Sequence, residues 1–316
     1  VTEMKILVVY PQEFWTTATY CVKALKKKYE VEVFDLKKTR GYIWNLAQFG
    51  IILPGGKQTS ILNVLQSLEK PDLILEIDGY GLYHLKDYKK LNIPVAYWAI
   101  DSHIPAKRNF QKKIAEDFNY IFVAQKRYVD EFKKINRNSF WLPLACDPEI
   151  HRQYPVEKKF DIGFVGSLNK SLHPERVKLL NYLAKKYNVI ARSNVYMEEM
   201  AKIYSYAKIG FNRSLAGDLN MRVFEIMSCG TMLLTDNIGN GIEELFEDRK
   251  HLVLYNNLGD LDEKVRHYLE NEEEREAIAG AGRKEVLDRH TYEHRMDYLI
   301  KTIFPSDCAQ TILDFI

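Results

Sequence analysis

The chain has 316 residues, 46% hydrophobic and 28% charged, which suits two globular domains of about 150 residues each. Its 45 basic and 43 acidic residues leave a net charge of +2, which excludes the strongly basic balance of a dedicated nucleic-acid binder. The four cysteines, Cys21, Cys146, Cys229 and Cys308, lack C-x-x-C spacing, and no apolar run nears the ~18 residues of a membrane span. A cytoplasmic protein with reduced thiols, and no signal peptide ahead of its first strand, is expected.

Short apolar runs alternate with amphipathic stretches, the pattern of βαβ units and parallel sheets. Strands are predicted at 5–10, 30–35, 73–77, 95–99 and 120–124, with helices at 17–28, 61–68 and 107–117. The basic runs 26–28 and 37–40 read as solvated faces rather than as a membrane-surface patch. Residues 141–155, WLPLACDPEIHRQYP, carry three prolines and no periodicity, and read as a connector.

A second series follows. Strands are predicted at 161–165, 188–191, 209–212 and 231–235, and helices at 174–186, 197–207, 219–228 and from 243. Two long polar helices over 259–271 and 273–288 precede a last helix from Tyr292. The expected architecture is α/β with two doubly wound domains facing a central cleft, since such sheets bind ligands at the carboxyl ends of their strands. The domains would be 1–152 and 153–290, with 291–316 a helix crossing back to the first domain.

The densest chemical signal is NRSLAGDLNMRVFEIMSCGTMLLTD, residues 212–236. A strand ends at Asn212, a polar loop follows, and a helix starts near Leu219 or Asn220 with Asp218 as its N-cap. Arg222 lies in the first turn, where acids are normally preferred, so an external anion such as a diphosphate is a reason for it. Its planar fork suits phosphate oxygens. Glu225, three residues on, shares a face with Arg222. Two readings stand: a local ion pair on a solvated helix, or a buried carboxylate whose partners are ribose hydroxyls.

Together with EELF at 243–246, EREAIAGAGR at 274–283 and HTYEHR at 290–295, this segment resembles the C-terminal domain of CgeB-like glycosyltransferases. These are relatives of glycosyltransferase family 4 with the two-Rossmann GT-B fold. The resemblance covers residues 150–300 and touches the first half only in outline. It implies that Glu225 binds the ribose and Arg222 the donor diphosphate. Gly166 and Ser167, in FVGSLN, would form the glycine turn beneath that diphosphate. Ser193, Asn194, Val195 and Tyr196 would lie beside the base, and Asn212 and Asn220 near donor phosphate or sugar. Retaining members carry a glutamate eight positions before the ribose-binding one. Here that place is Gly217, with Asp218 beside it, so the sugar-contacting carboxylate is absent or displaced and inversion is favoured.

In the first half, the pair Asp101 and His103, followed by Asp78, sit at predicted strand ends and are in that order the candidates for a general base toward an acceptor hydroxyl. Capping and ordinary loop roles fit them too. Phe14 and Trp15 could stack on an acceptor or staple a helix entry. PGGKQTS at 54–60 lacks the full G-x-x-x-x-G-K-[ST] spacing, so a nucleoside triphosphatase is rejected, though Gly55 and Gly56 suit an acceptor loop. The single DxD triplet, Asp260-Leu261-Asp262, reads as an N-cap and a first-turn acid, so neither metal nor cofactor is expected. The expected donor is a UDP- or dTDP-sugar and the acceptor a carbohydrate, protein or lipid-linked group. A sugar-nucleotide epimerase and a non-catalytic nucleotide-sugar binder remain as rival readings.

Overall fold

A computed structural model describes residues 4–38, 59–78 and 84–305. The chain divides into two compact units: one reaches Pro143 and resumes at Arg295, and the other spans Leu144–His294. The division falls inside the connector read at 141–155.

The first unit is built on a parallel sheet of β1 (Lys5–Tyr10), β2 (Glu30–Asp35), β3 (Leu73–Ile77), β4 (Val95–Ala99), β5 (Tyr120–Val123) and β6 (Ser139–Trp141), in the order β2-β1-β3-β4-β5-β6. The three-residue β6, absent from the sequence reading, ends at Trp141, where the predicted connector begins. Every residue of β3 and β4 is buried, as expected where helices cover both faces of a parallel sheet. Between the strands run α1 (Thr17–Leu25), α2 (Ile61–Leu65), α3 (Pro105–Ile114) and α4 (Val129–Lys133). The first three end three residues short of the sequence reading, and tight single turns replace their last residues after α3 and before α4.

The second unit carries β7 (Phe160–Val165), β8 (Val189–Arg192), β9 (Ala207–Asn212), β10 (Met232–Asp236) and β11 (Val253–Tyr255), all parallel, in the order β11-β10-β9-β7-β8. Its helices are α5 (Pro174–Ala184), α6 (Met197–Ser205), α7 (Met221–Ser228), α8 (Ile242–Leu245), α9 (Leu258–Glu270) and α10 (Glu272–Arg289). Phe164, Phe211, Leu234, Val253, Leu261 and Val265 belong to one buried cluster that binds sheet to helices. The chain leaves β7 to one side for β8 and returns to its other side for β9. That reversal opens a ligand position beyond the ends of β7 and β9.

The last helix, α11 (Tyr292–Ile303), counts with the first unit from Arg295. Arg295 Nε donates to Pro143 O at 2.9 Å, and Lys28 Nζ meets Asp297 Oδ2 at 2.6 Å. Among the described residues no helix is long and apolar enough to cross a membrane, and Cys21, Cys146 and Cys229 are buried free thiols.

Candidate functional site

The reversal point is furnished by the turn after β7 and by α7. Gly210 lets α7 lie directly on β9, because a side chain there would collide with Ile226. The helix begins at Met221, not at Leu219, and its N-cap is Asn220, whose side chain makes no capping bond. The expected cap, Asp218, does other work: its Oδ1 accepts from Leu215 N and, at 3.5 Å, from Asn220 Nδ2. Three preceding loop residues are equally constrained. Arg213 Nη1 reaches Asp236 Oδ2 at 2.8 Å, Ser214 N reaches Asp236 Oδ1 at 2.9 Å, and Gly217 O accepts from Asn240 Nδ2 at 3.1 Å. The Asp218 carboxylate is thus part of the loop's own scaffold.

Arg222 extends from the first turn of α7 to the Gly166 turn. Its guanidinium carbon sits 5.4 Å from the centre of the Phe164 ring, and a Cβ on residue 166 would stand 2.9 Å from Nη1. A second arginine shares this ring. Arg176, on α5, is 4% exposed, 5.5 Å from the Phe164 centre, and donates to Ser167 O at 3.2 Å and Arg213 O at 3.0 Å. Arg213 has a counter-ion in Asp236, whereas among the described residues neither Arg176 nor Arg222 finds an ion-pair partner, and the buried Nε of each finds no hydrogen-bond partner.

The crowding of positive charge has measurable consequences. Burial, and then the charge of Arg222, pushes the Arg176 guanidinium down to about 10, against the pull of Asp218 and Asp236. Burial, Arg176 and Arg222 push His173 down to about 4. A buried arginine and a half-buried one that repel one another beside a glycine turn are arranged for an anion with several oxygens. The sequence reading found Arg222, Gly166 and Ser167 but missed Arg176 and His173.

Glu225 is 5% exposed, and burial pushes its carboxyl up to about 7 while Arg222 pulls the other way. No Arg222–Glu225 ion pair forms, so the reading of a local pair on a solvated helix fails. The charged-group contact of Glu225 is instead His151 Nε2, 3.6 Å from Oε1. His151 lies in the connector and was not singled out from sequence.

The remaining donor-side residues divide by exposure. Asn212 and Asn220 are buried, and the Oδ1 of each has no hydrogen-bond partner; Asn212 Nδ2 donates to Thr235 Oγ1 at 2.9 Å. Ser193, Asn194 and Tyr196 are exposed and Val195 is half-buried in the turn between β8 and α6. Asn194 at φ 57° and Met197 at φ 52° hold left-handed backbone on either side of the 38%-exposed Tyr196. Strain of this kind concentrates at ligand-contacting loops.

In the first unit, Asp78 follows β3 and Asp101 follows β4, and Lys107 of α3 joins them. Its Nζ is 2.7 Å from Asp101 Oδ2 and 3.4 Å from Asp78 Oδ2. Gln111 Nε2 also donates to Asp78 Oδ2 at 2.7 Å. Burial raises the Asp78 carboxyl, opposed by Lys107 and reinforced by Asp101. Burial acts on Asp101 as well, but Lys107 and then His103 outweigh it and leave Asp101 below the usual range. His103 is buried with Nδ1 lacking a hydrogen-bond partner. Phe14 is 56% exposed and packs edge-on against Trp15 at 4.6 Å. Gly55 and Gly56 lie outside the described residues.

The reading of the DxD triplet needs one revision. Asn257, not Asp260, caps α9, accepting from Asp260 N at 3.0 Å. Asp260 pairs with Lys264 at 2.9 Å and Asp262 with Lys186 at 2.8 Å. Among the described residues no group of three or more His, Cys, Asp or Glu is placed to hold a metal.

Residues 152–301 match the family described as glycosyl transferase-like. No curated protein sequence matches the chain. Among solved structures, HepE of Anabaena in complex with UDP and glucose is similar at TM-score 0.65 and 14% identity, over 95% of this chain and 99% of its own. Sucrose-phosphate synthase of Thermosynechococcus elongatus is similar at TM-score 0.63 and 10% identity, over 94% and 97%. The phage T4 protein BGT, solved with UDP and Mn2+, is similar at TM-score 0.62 and 13% identity, over 95% and 100%. The fold is therefore that of two parallel-sheet α/β domains, as in GT-B glycosyltransferases.

Proposed function

We propose that this chain is a glycosyltransferase of the CgeB-like kind, transferring a hexosyl group from a UDP- or dTDP-sugar to an acceptor hydroxyl. The observation that carries the reading is the pair Arg176 and Arg222 on the Phe164 ring beside Gly166, each without a counter-ion among the described residues, with the buried Glu225 one turn after Arg222 on α7. The family match over residues 152–301 supports it.

In this reading the two guanidinium groups and the Gly166–Ser167 backbone take the donor diphosphate. Their fixed charge stabilises the negative charge that develops on the leaving group, so the step needs no metal ion. Glu225 accepts hydrogen bonds from the ribose hydroxyls, which offset the cost of burying its charge. Ser193, Asn194, Val195 and Tyr196 face the base. The orphaned Oδ1 atoms of Asn212 and Asn220 accept from donor hydroxyls.

Gly217 and the loop-bound Asp218 leave no carboxylate for the sugar where retaining relatives have one, which supports inversion. The acceptor proton then goes to a base in the first unit, and Asp78 is better suited than Asp101. Its raised proton affinity makes it the stronger base, whereas Lys107 holds Asp101 as a stable anion.

Incubation with UDP-hexoses and dTDP-hexoses, following both nucleoside diphosphate release and the sugar's configuration, tests the reading. Slow release that a carbohydrate, protein or lipid-linked acceptor accelerates is expected. Conversion of the donor to its epimer, or binding with no release under any acceptor, would contradict it.

A further inference from the structure

We propose that His151 is a positioning residue that holds the Glu225 carboxylate for the ribose and so makes the site selective for ribose hydroxyls. The proposal rests on the reading of Glu225 as the ribose ligand.

His151 is fully buried, and its ring is anchored on the side away from Glu225. Asp147 N donates to His151 Nδ1 at 3.0 Å. A ring nitrogen that accepts a backbone N–H carries no proton, so in the neutral ring the proton is on Nε2, the atom facing Glu225 Oε1 at 3.6 Å. The turn that presents the ring is itself tied together: His151 N donates to Asp147 O at 2.7 Å, and Glu149 N to Asp147 Oδ1 at 3.0 Å.

A second contact sets this turn against α7. Ser228 Oγ donates to His151 O. Ser228 lies three residues after Glu225, on the same helical face. The backbone of His151 thus holds α7 at Ser228, and its ring faces the Glu225 carboxylate one turn earlier. The other neighbour of that carboxylate, Arg222, makes no ion pair with it and points toward Gly166 and Phe164.

The consequence is chemical. A buried glutamate with three rotatable bonds has many ways to miss two ribose hydroxyls, and a fixed donor on one oxygen selects among them. The 3.6 Å separation is long for a hydrogen bond. A rotation of the carboxylate by about half an ångström closes it, as polar contacts in such sites tighten when the ligand binds.

The test measures affinity for uridine diphosphate and for its 2′,3′-dideoxy analogue, whose ratio reports the ribose contact alone. The variants are His151→Phe, which keeps ring volume and removes the donor, His151→Gln, which restores an N–H, and Glu225→Ala. The wild type should favour uridine diphosphate by at least about tenfold, the scale of hydrogen bonds to a charged group. His151→Phe should cut that ratio to below about threefold while affinity for the dideoxy analogue, held by the arginines, stays within about twofold. His151→Gln should recover part of the ratio. A ratio unchanged in His151→Phe and His151→Gln but abolished in Glu225→Ala overturns the positioning role alone. A wild-type ratio near one overturns the ribose reading of Glu225, and the proposal with it. If His151→Phe does not fold, His151→Met, which also lacks a donor, takes its place: a ratio cut to below about threefold supports the positioning role, and an unchanged ratio overturns it.

Discussion

The guanidinium of Arg222 lies in the space that a side chain on Gly166 would need: a Cβ there would stand 2.9 Å from Arg222 Nη1 and 3.0 Å from the Phe164 ring. The glycine of the turn is thus required by the arginine as much as by the backbone, whose φ of 156° also disfavours a side chain. Gly166→Ala should leave the second unit folded, displace Arg222 and lower affinity for uridine diphosphate by about tenfold or more. Affinity for uridine should change little. Titration of both ligands against the variant checks this.

Among the described residues Arg222 makes no hydrogen bond or ion pair, and it is repelled by Arg176. Removing it should therefore help the protein and harm the site. Arg222→Met keeps comparable volume and contact with Phe164, and should raise Tm by roughly 3 °C, equivalent to about 1 kcal/mol in a domain of this size. It should also abolish stabilisation by nucleoside diphosphates. Arg176→Met should not be stabilising, because Arg176 donates to Ser167 O and Arg213 O. Thermal melts of the two variants, with and without uridine diphosphate, separate these outcomes.

Glu225 should make stability depend on pH in a defined sense. Its folded-state pKa of about 7 lies above the ordinary 4.5. Between those values the folded chain keeps a proton that the unfolded chain has released. Stability is therefore fully present below about pH 4.5 and falls as the pH rises through 7, by about 3 kcal/mol in all. Glu225→Gln removes the titration. The variant should melt with the wild type at pH 5 and several degrees above it at pH 8.5. Equal melting at both pH values would show that the carboxylate is not buried at such a cost.

In the first unit the two aspartates should separate by role. Asp78→Asn should lower donor turnover by about 100-fold, the scale of a lost general base, and remove the acidic limb of the pH profile, where activity falls as the base is protonated. Asp101→Asn should lower it less, acting through Lys107. The double variant Asp101→Asn, His103→Ala should keep activity above that of Asp78→Asn. The reverse order would move the base to Asp101 or His103.

Much of this was legible in the sequence, for identifiable reasons. Parallel strands buried on both faces read as apolar runs, and β1, β2, β3 and β4 have the bounds their residues suggest. Arg222 stood out because a first-turn arginine runs against the helix dipole, and Glu225 because it shares that face. Arg176 did not, since nothing local marks an arginine in α5 as buried; that follows from its packing against the Phe164 ring. His151 was hidden in a proline-bearing stretch whose turn is organised by Asp147 rather than by periodicity. β6 and β11, three residues each, are too short to show a pattern. The cap at Asn220 rather than Asp218 reflects a tertiary demand, the bonds of Asp218 within its own loop.

The most direct measurement is the affinity of the wild type, Arg176→Ala, Arg222→Ala and Glu225→Ala for uridine and for uridine diphosphate. The wild type should bind the diphosphate at least about 100-fold more tightly than the nucleoside. Each arginine variant should lose most of that preference and leave uridine binding nearly intact, whereas Glu225→Ala should weaken both ligands alike. Wild-type affinity for uridine diphosphate in Arg176→Ala and Arg222→Ala would contradict the assignment of this site.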